Sequence, residues 1–187
     1  HSGLTLANVA NNFIFKVGNN NTPANWAVAP APNALSVIAG GGVSGSDRVV
    51  ITWATGAITK KWLEVGVLPT VQTGWTAGPY TVDPDGPGVG TAVSVGDVFF
   101  FGNAVGGSGT GDSATAAPTN ATDEIGARNN PHGFGNFALV DDEYDYNKDR
   151  NVNATDQIIS RNNGTGFGTQ LIKINIGTAG PFAPDGG

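Results

Sequence analysis

The stretch "DYNKDRNVNATD", residues 145 to 156, places oxygen-bearing side chains at its first, third, fifth and twelfth positions: Asp145, Asn147, Asp149 and Asp156. Only 13% of the chain is charged, so this concentration is local. A hard divalent cation such as Ca2+ collects about six to eight oxygens, and this spacing is how a short loop supplies them. Asn151, at the seventh position, offers its backbone carbonyl. Asn153, at the ninth, can cap the helix that follows while a water reaches the metal. Three carboxylates and one amide nearly balance a divalent charge. The competing reading is an acidic surface loop that holds no ion.

The elements around the loop favour the first reading. "NATDQIISRNNG" predicts a helix with Asn153 as N-cap and Asp156 three residues on, the spacing of a capping box. Ile158 and Ile159 lie inside it, Arg161 in its last turn, and Gly164 where a C′ glycine belongs. A loop that feeds a capped helix at its ninth position is the EF-hand arrangement. The helix also has a counterpart earlier in the chain. "NATDEIGARNNPHGFG" (120–135) matches "NATDQIISRNNGTGFG" (153–168) at eleven of the sixteen positions. Such self-similarity marks a duplicated supersecondary unit. Glu124 and Arg128 stand at i,i+4 in the first copy, the favourable orientation. Helices this short need a partner, and Ile125, Ile158, Ile159, Phe134 and Phe167 are the contacts expected.

Together the two segments resemble a tandem dockerin type I repeat, the duplicated calcium-loop-and-helix module of secreted bacterial proteins, over roughly residues 101 to 170. The resemblance implies Asp145, Asn147, Asp149 and Asp156 as side-chain ligands and Asn151 as the carbonyl ligand. Arg150 stands where such loops carry glycine, and a left-handed backbone there costs about 1–2 kcal/mol. The positions by which dockerins grip cohesin hold Ala154 and Thr155 in one copy and Ala121 and Thr122 in the other, so cohesin binding is not implied. The first copy departs further. Counting back from Asp123 puts Asp112 at the first position but Ala114 and Ala116 at the third and fifth. One reading is an expanded loop using Asn103, Asp112, Asp123 and glycine carbonyls; the other is a metal-free copy. Because Asp123 matches Asp156 in its helical neighbours, two sites are expected.

The whole chain has 187 residues, 39% of them hydrophobic, with 29 glycines and a formal charge of −6. It is long enough for one large or two small domains. The acidic balance argues against nucleic acid and anionic membrane surfaces, and no run approaches the length of a membrane span. Without cysteine there is no disulfide, thiol nucleophile or zinc-thiolate site. Methionine is absent too and the sequence starts at His1, so a mature or excised piece of a secreted protein is expected, outside the cell where calcium is abundant.

Mainly β structure with a small α part is expected: an Ig-like β-sandwich over residues 1–102, the dockerin-like repeat over 103–170, and a C-terminal strand and tail over 171–187. "NNFIFKVG", "NALSVIAG", "DRVVITWATG", "KKWLEVGVLP" and "GDVFFFGNAV" are short β-branched or aromatic runs between turn-rich pieces. Val49, Ile51 and Trp53 alternate with Val50 and Thr52 as in a half-buried strand. About seven strands at this spacing suggest a sandwich. "VFFFG" is continuous, which predicts a central strand buried on both faces. It runs straight into the repeat, so the parts should pack as one body.

No catalytic constellation emerges, so no enzyme is expected. A copper brace on His1 would need a second histidine on a flat face, and His132 lies in a helix exit. Glu64 and the "DDE" run at 141–143 could be imagined as paired carboxylates, but a solvated loop preceding the calcium site fits better. Trp53 and Trp62 sit in strand patterns, whereas Trp26 and Trp75 flank Pro/Gly/Thr stretches and Trp75 could stack on a sugar. "SGLTLANVA" alternates Leu4 and Leu6, and "TQLIKINIG" alternates Ile172, Ile174 and Ile176. Such a terminal strand closes its own sheet or completes a neighbour's, and the second case gives head-to-tail filaments. The expected role is an extracellular, calcium-stabilised, self-assembling surface module. The alternative is a carbohydrate-binding or dockerin-type anchoring domain of a secreted polysaccharide-degrading enzyme.

Overall fold

The structure is a computed structural model that describes residues 3–85 and 91–174; His1 and Ile176 lie outside the described residues. The chain is mainly β. After a 3-10 helix over Leu6–Asn11 come β1 (Phe13–Gly18), β2 (Ala27–Val28), β3 (Ala34–Ile38), β4 (Arg48–Thr52), β5 (Trp62–Val67), β6 (Tyr80–Val82), β7 (Val93–Val95) and β8 (Asp97–Gly102). Then follow β9 (Ala116–Ala117), α1 (Ala121–Asn129), α2 (Ala154–Asn162) and β10 (Leu171–Ile172), and short 3-10 turns lie at Pro23–Asn25 and Val43–Gly45.

A four-stranded antiparallel sheet, in the order β2-β1-β5-β8, forms the centre of the β part. Side chains alternate between its faces. Phe13 and Phe15 meet Leu63, Val65, Val67 and Phe99 on one face, and the β3-β4 hairpin covers them with Leu35, Val37, Val49 and Ile51. On the opposite face Ile14 and Val98 pack under the β6-β7 hairpin through Val82 and Val95. The strand buried on both faces is therefore β1.

This corrects the expectation for "VFFFG". β8 is an edge strand, half-buried at best, and Phe101 is 57% exposed. A run of phenylalanines reports that both faces have neighbours; Phe99 belongs to the β3-β4 side, while Phe100 stands edge-on to Trp26 on the other. It says nothing about lateral position. The N-terminal strand expected from Leu4 and Leu6 is also corrected. Asn8 accepts from the Thr5 amide (2.9 Å) and donates to the Gly3 carbonyl (2.7 Å), while Asn12 donates to the Asn8 carbonyl (2.9 Å). These local side-chain bonds compete with an extended ladder and wind the segment into the 3-10 helix. Leu4 turns into the molecule's own core and Leu6 is exposed.

The repeat is bound to the sheet. Trp62 Nε1 donates to the Ile172 carbonyl (2.6 Å), and the Asn19 amide brackets β10, donating to Gln170 O (2.9 Å) and accepting from Ile172 N (2.7 Å). β10 in turn pairs with β9. No helix among the described residues is long and apolar enough to cross a membrane.

Candidate metal centre

Each helix of the duplicated unit starts the same way. Asn120 and Asn153 are N-caps whose side chains accept from Thr122 N and Thr155 N. The third helical residue returns the bond: Asp123 Oδ2 accepts from Asn120 N (2.8 Å) and Asp156 Oδ2 from Asn153 N (2.9 Å). The duplication also governs how the copies meet. His132 and Val152 exchange amide bonds (3.1 and 3.0 Å), and Thr165 N donates to Thr119 O (2.8 Å). Thr119 and Val152 are equivalent positions of the two copies, and so are His132 and Thr165. Each copy's pre-helix residue thus bonds beyond the other copy's helix.

The helix contacts differ from those expected. Ala127 and Ser160, equivalent positions of α1 and α2, are both buried, and Ala127 joins Ala138, Val152, Tyr144 and Tyr146 in a small core. Ile125, Ile158, Phe134 and Phe167 are exposed, the two phenylalanines completely, and Ile159 is half-buried. Small residues bring the helix backbones close, and the tyrosine rings fill the space the isoleucines were expected to fill. A Cβ on Gly126 would overlap the Tyr144 ring. Between the helices Glu124 takes Arg161 and, at 3.0 Å, Arg128; Arg161 holds the Glu124 carboxyl below its ordinary value.

In the second loop the chain turns around its first carboxylate. Asp145 is buried, and its two oxygens accept from Asp149 N (3.1 Å) and Arg150 N (2.8 Å). Wrapping the backbone this tightly needs left-handed residues, found at Lys148 (φ 57°) and Arg150 (φ 72°). Arg150 therefore adopts the strained conformation, and its guanidinium lies 5.1 Å from the centre of the Phe137 ring, a contact that offsets part of the strain. Asn147 Oδ1 accepts from Asp149 N (3.1 Å), and Asn147 Nδ2 donates to Asp149 Oδ2 (3.0 Å). Asp149 Oδ1 accepts from Asn151 N (2.8 Å), the bond that chiefly holds this carboxyl below its ordinary value. Asp156 reaches back from α2, fully buried, and its Oδ1 accepts from Tyr146 N (2.9 Å). Asp145, Asn147, Asp149, Asn151 and Asp156 are thus parts of one hydrogen-bonded turn.

The first loop brings together a different set. Asp123, also fully buried, accepts from Ser108 N and Ser108 Oγ at its Oδ1 (both 2.8 Å). Ser108 consequently plays the part of Tyr146. Gly107 precedes it where Asp145 precedes Tyr146, so this copy has no carboxylate at the start of its loop. Asn103 and Asp112 are not gathered to Asp123. Asn103 Nδ2 donates to Ile58 O (2.8 Å) beside the sheet, and Asp112 pairs with Lys173 (3.0 Å). Sequence reasoning missed Ser108 because the first loop is longer: Ser108 lies fifteen before Asp123, but Tyr146 ten before Asp156. In the structure Gly106 stands where Tyr144 does in the second copy, and an added Cβ there would come within 2.7 Å of Ser160 Cα.

Among the described residues no ion pair involves Asp123, Asp145, Asp149 or Asp156. Nor is any group of three or more His, Asp or Glu side chains there disposed to hold a metal ion. Any cation in the second loop would draw on a mixed set, with an amide and a main-chain carbonyl beside the carboxylates. Away from the repeat, a cavity of about 480 Å³ opens between the sheet and the β3-β4 hairpin, with Trp53, Trp75, Phe99 and Phe101 in its lining. No family model, curated protein or solved structure matches the chain.

Proposed function

We propose that the chain is a calcium-stabilised structural module of a secreted or surface protein, with the ion held by the second loop and no catalytic role. One observation carries this: Asp145 and Asp156 are both buried against the same turn, with no cationic side chain paired to either among the described residues. Buried charge is costly unless it is compensated. Backbone amides occupy one lone pair on each oxygen and leave others for an ion. The donors are oxygens only, as calcium takes. Asp145, Asn147, Asp149, Asp156 and the Asn151 carbonyl would hold it. Calcium would supply the positive charge that the loop lacks, and the protein's own part is to preshape the turn and tie it to α2. The layering of hairpins on a central sheet is read as a sandwich-type body, and the loop-helix pair as dockerin-like.

The first copy is read as metal-free, because Gly107 replaces the loop's first carboxylate and Ser108 satisfies Asp123. Calorimetry of the chelator-treated protein against Ca2+ tests both points. One site per chain, lost in Asp145→Ala, supports the reading. No heat, or two sites, overturns it.

A specific observation favours a second reading, glycan binding. Trp75 is 46% exposed at the cavity, and its backbone amide donates to Oγ1 of the buried Thr73 (3.4 Å), which is itself bonded to Thr70. An exposed indole on an anchored backbone is a stacking platform. Saturable quenching of tryptophan fluorescence by an oligosaccharide, lost in Trp75→Ala, would establish it.

A further inference from the structure

We propose that the free edge of β8 is an interface with a second copy of this chain, the two β8 strands pairing antiparallel about Phe100. This goes beyond the calcium reading and does not depend on it.

Backbone phase settles which groups are free. Leu68 N donates to Asn12 O (2.9 Å), so the even-numbered residues of β5 face β1 and its odd-numbered residues face β8. Asn103 N donates to Lys61 O (3.1 Å), continuing the same phase past the end of β8. With Leu63 opposite Phe101 and Val65 opposite Phe99, the odd residues of β8 spend their N–H and C=O on β5. Val98, Phe100 and Gly102 turn theirs outward. The Val98 amide is capped by Asp97 Oδ1 (2.8 Å). The amides and carbonyls of Phe100 and Gly102 meet no partner among the described residues.

Edge strands are ordinarily blunted by lysine, proline, a bulge or brevity. The opposite edge, β2, is two residues long and is followed closely by Pro30. β8 has none of these protections over residues 98–102: its register with β5 runs unbroken from Asp97 to Gly102, and the sequence is "VFFFG". A row of open main-chain groups beside three phenylalanines calls for another strand.

The strand's own sequence favours a second copy. The net charge of −6 repels copies from one another, and β8 offers a neutral seam across which that repulsion is least. A two-fold axis normal to the sheet at Phe100 keeps each side chain on its own face. It sets Phe99 of one copy opposite Phe101 of the other, twice, and Val98 opposite Gly102. Asp97, the only charged side chain on the strand, then falls opposite the neutral Asn103 and not opposite another carboxylate. The Phe100 pair exchanges two backbone bonds, and in each Val98–Gly102 pair the Gly102 amide donates to the Val98 carbonyl, the Val98 amide being already capped by Asp97. The Phe99–Phe101 pairs occupy the closer, non-hydrogen-bonded positions, where aromatic partners contribute most, on the face that holds the cavity. The strand is complementary to itself.

The test is sedimentation of the full chain from micromolar to millimolar concentration, in calcium and in chelator, beside hydrogen exchange of the same samples. A dimer is expected in which Phe100 and Gly102 amides gain protection as concentration rises, while the Phe99 amide, already bonded to β5, does not. Phe101→Lys should weaken dimerisation by at least about tenfold, because it removes both Phe99–Phe101 contacts and sets the two lysines diagonal to one another across the seam. Phe101→Tyr should retain the dimer. A monomer throughout the range, a dimer whose protection falls elsewhere, or one unaffected by a folded Phe101→Lys would overturn the proposal. Should that variant not fold, the exchange pattern of the unmodified chain decides alone.

Discussion

Asp123 and Asp156 stand at equivalent places in α1 and α2, and each accepts the amide of its own N-cap asparagine. The chain before them is another matter. Ahead of Asp156, Asp145 gathers the amides of Asp149 and Arg150 into a turn with two left-handed residues. Ahead of Asp123, a longer loop offers Ser108 and no opening carboxylate. The difference shows that an aspartate at the last ligand position has two separable roles. It caps the helix and pins the loop in both copies; only with the carboxylate of Asp145 beside it does it become a candidate ligand. Capping survives when the rest of the loop changes, because it needs nothing beyond the first turn of the helix and its cap.

The largest expected effect breaks the two roles apart. Asp145→Ala should remove the contribution of the proposed calcium ion, about 2.7 kcal/mol at a hundredfold excess over Kd. It also strands two amides, for roughly 1–3 kcal/mol more. Its thermal melts in calcium and in chelator should coincide, while those of the unmodified chain separate. Asp123→Ala should lose the return bond to the Asn120 amide and the Ser108 bonds, lowering both melts and keeping the gap between them. If Asp123→Ala closes that gap instead, the copies are more alike than their loops suggest.

A buried carboxylate outside the repeat sharpens the contrast. Glu64, on β5, keeps Oε2 buried without a hydrogen bond. Its pKa is pushed up to about 7 by burial, against the opposing charge of its cross-strand neighbour Lys16. A carboxylate with a raised folded pKa stabilises fully below its unfolded value of 4.5, and that stability is lost as pH rises through about 7. The loss corresponds to at most about 3 kcal/mol. Glu64→Gln should therefore raise Tm by several degrees at pH 8 and change it little at pH 4. An equal shift at both values would mean that the effect is packing, not ionisation.

How far these differences could be read from sequence depends on the range of the cause. The second loop was legible because its spacing, the Asn153 cap and the strain at Arg150 are all local, contained between Asp145 and Asp156. The strands β1, β3, β4, β5 and β8 were legible from composition and turns. Lateral order was not: alternation assigns Phe99 and Phe100 to opposite faces but does not say that β8 lies at the edge. The Leu4–Leu6 alternation misled because Asn8 and Asn12 bind the local backbone. The helix interface misled as well, since Ala127 and Ser160 carry no hydrophobic signal, whereas the exposed Phe134 and Phe167 carry a strong one.

The packing symmetry of the copies can be tested at intermediate size. Gly126→Ala should gain helix propensity, roughly 1 kcal/mol, but the new methyl overlaps Tyr144, and overpacking costs about 1–3 kcal/mol. A net loss in stability is expected, and Tyr144→Ala in the same background should turn the glycine substitution from unfavourable to favourable. If Gly126→Ala stabilises the unmodified chain, the ring does not lie on the helix as described.

The smallest effect concerns the ion pairs that join the helices. Arg128 and Arg161 occupy equivalent positions of the two copies, yet both converge on Glu124, because the second copy carries Gln157 where the first carries Glu124. The pairing is thus asymmetric in a unit whose backbone contacts are symmetric. Arg161 crosses between helices and binds both carboxylate oxygens, whereas Arg128 only bridges one turn. Arg161→Ala should therefore destabilise more than Arg128→Ala. Both shifts should shrink in salt, which screens exposed pairs. The Glu124 pKa is depressed, chiefly by the Arg161 bond, so the stability it contributes is present above the ordinary carboxylate range and lost as pH falls through the depressed value. Melts of Arg161→Ala and the unmodified chain should differ at pH 7 and converge in strong acid. A difference that persists there, or in molar salt, would assign the role of Arg161 to the packing of its aliphatic stem across α1 and not to its charge.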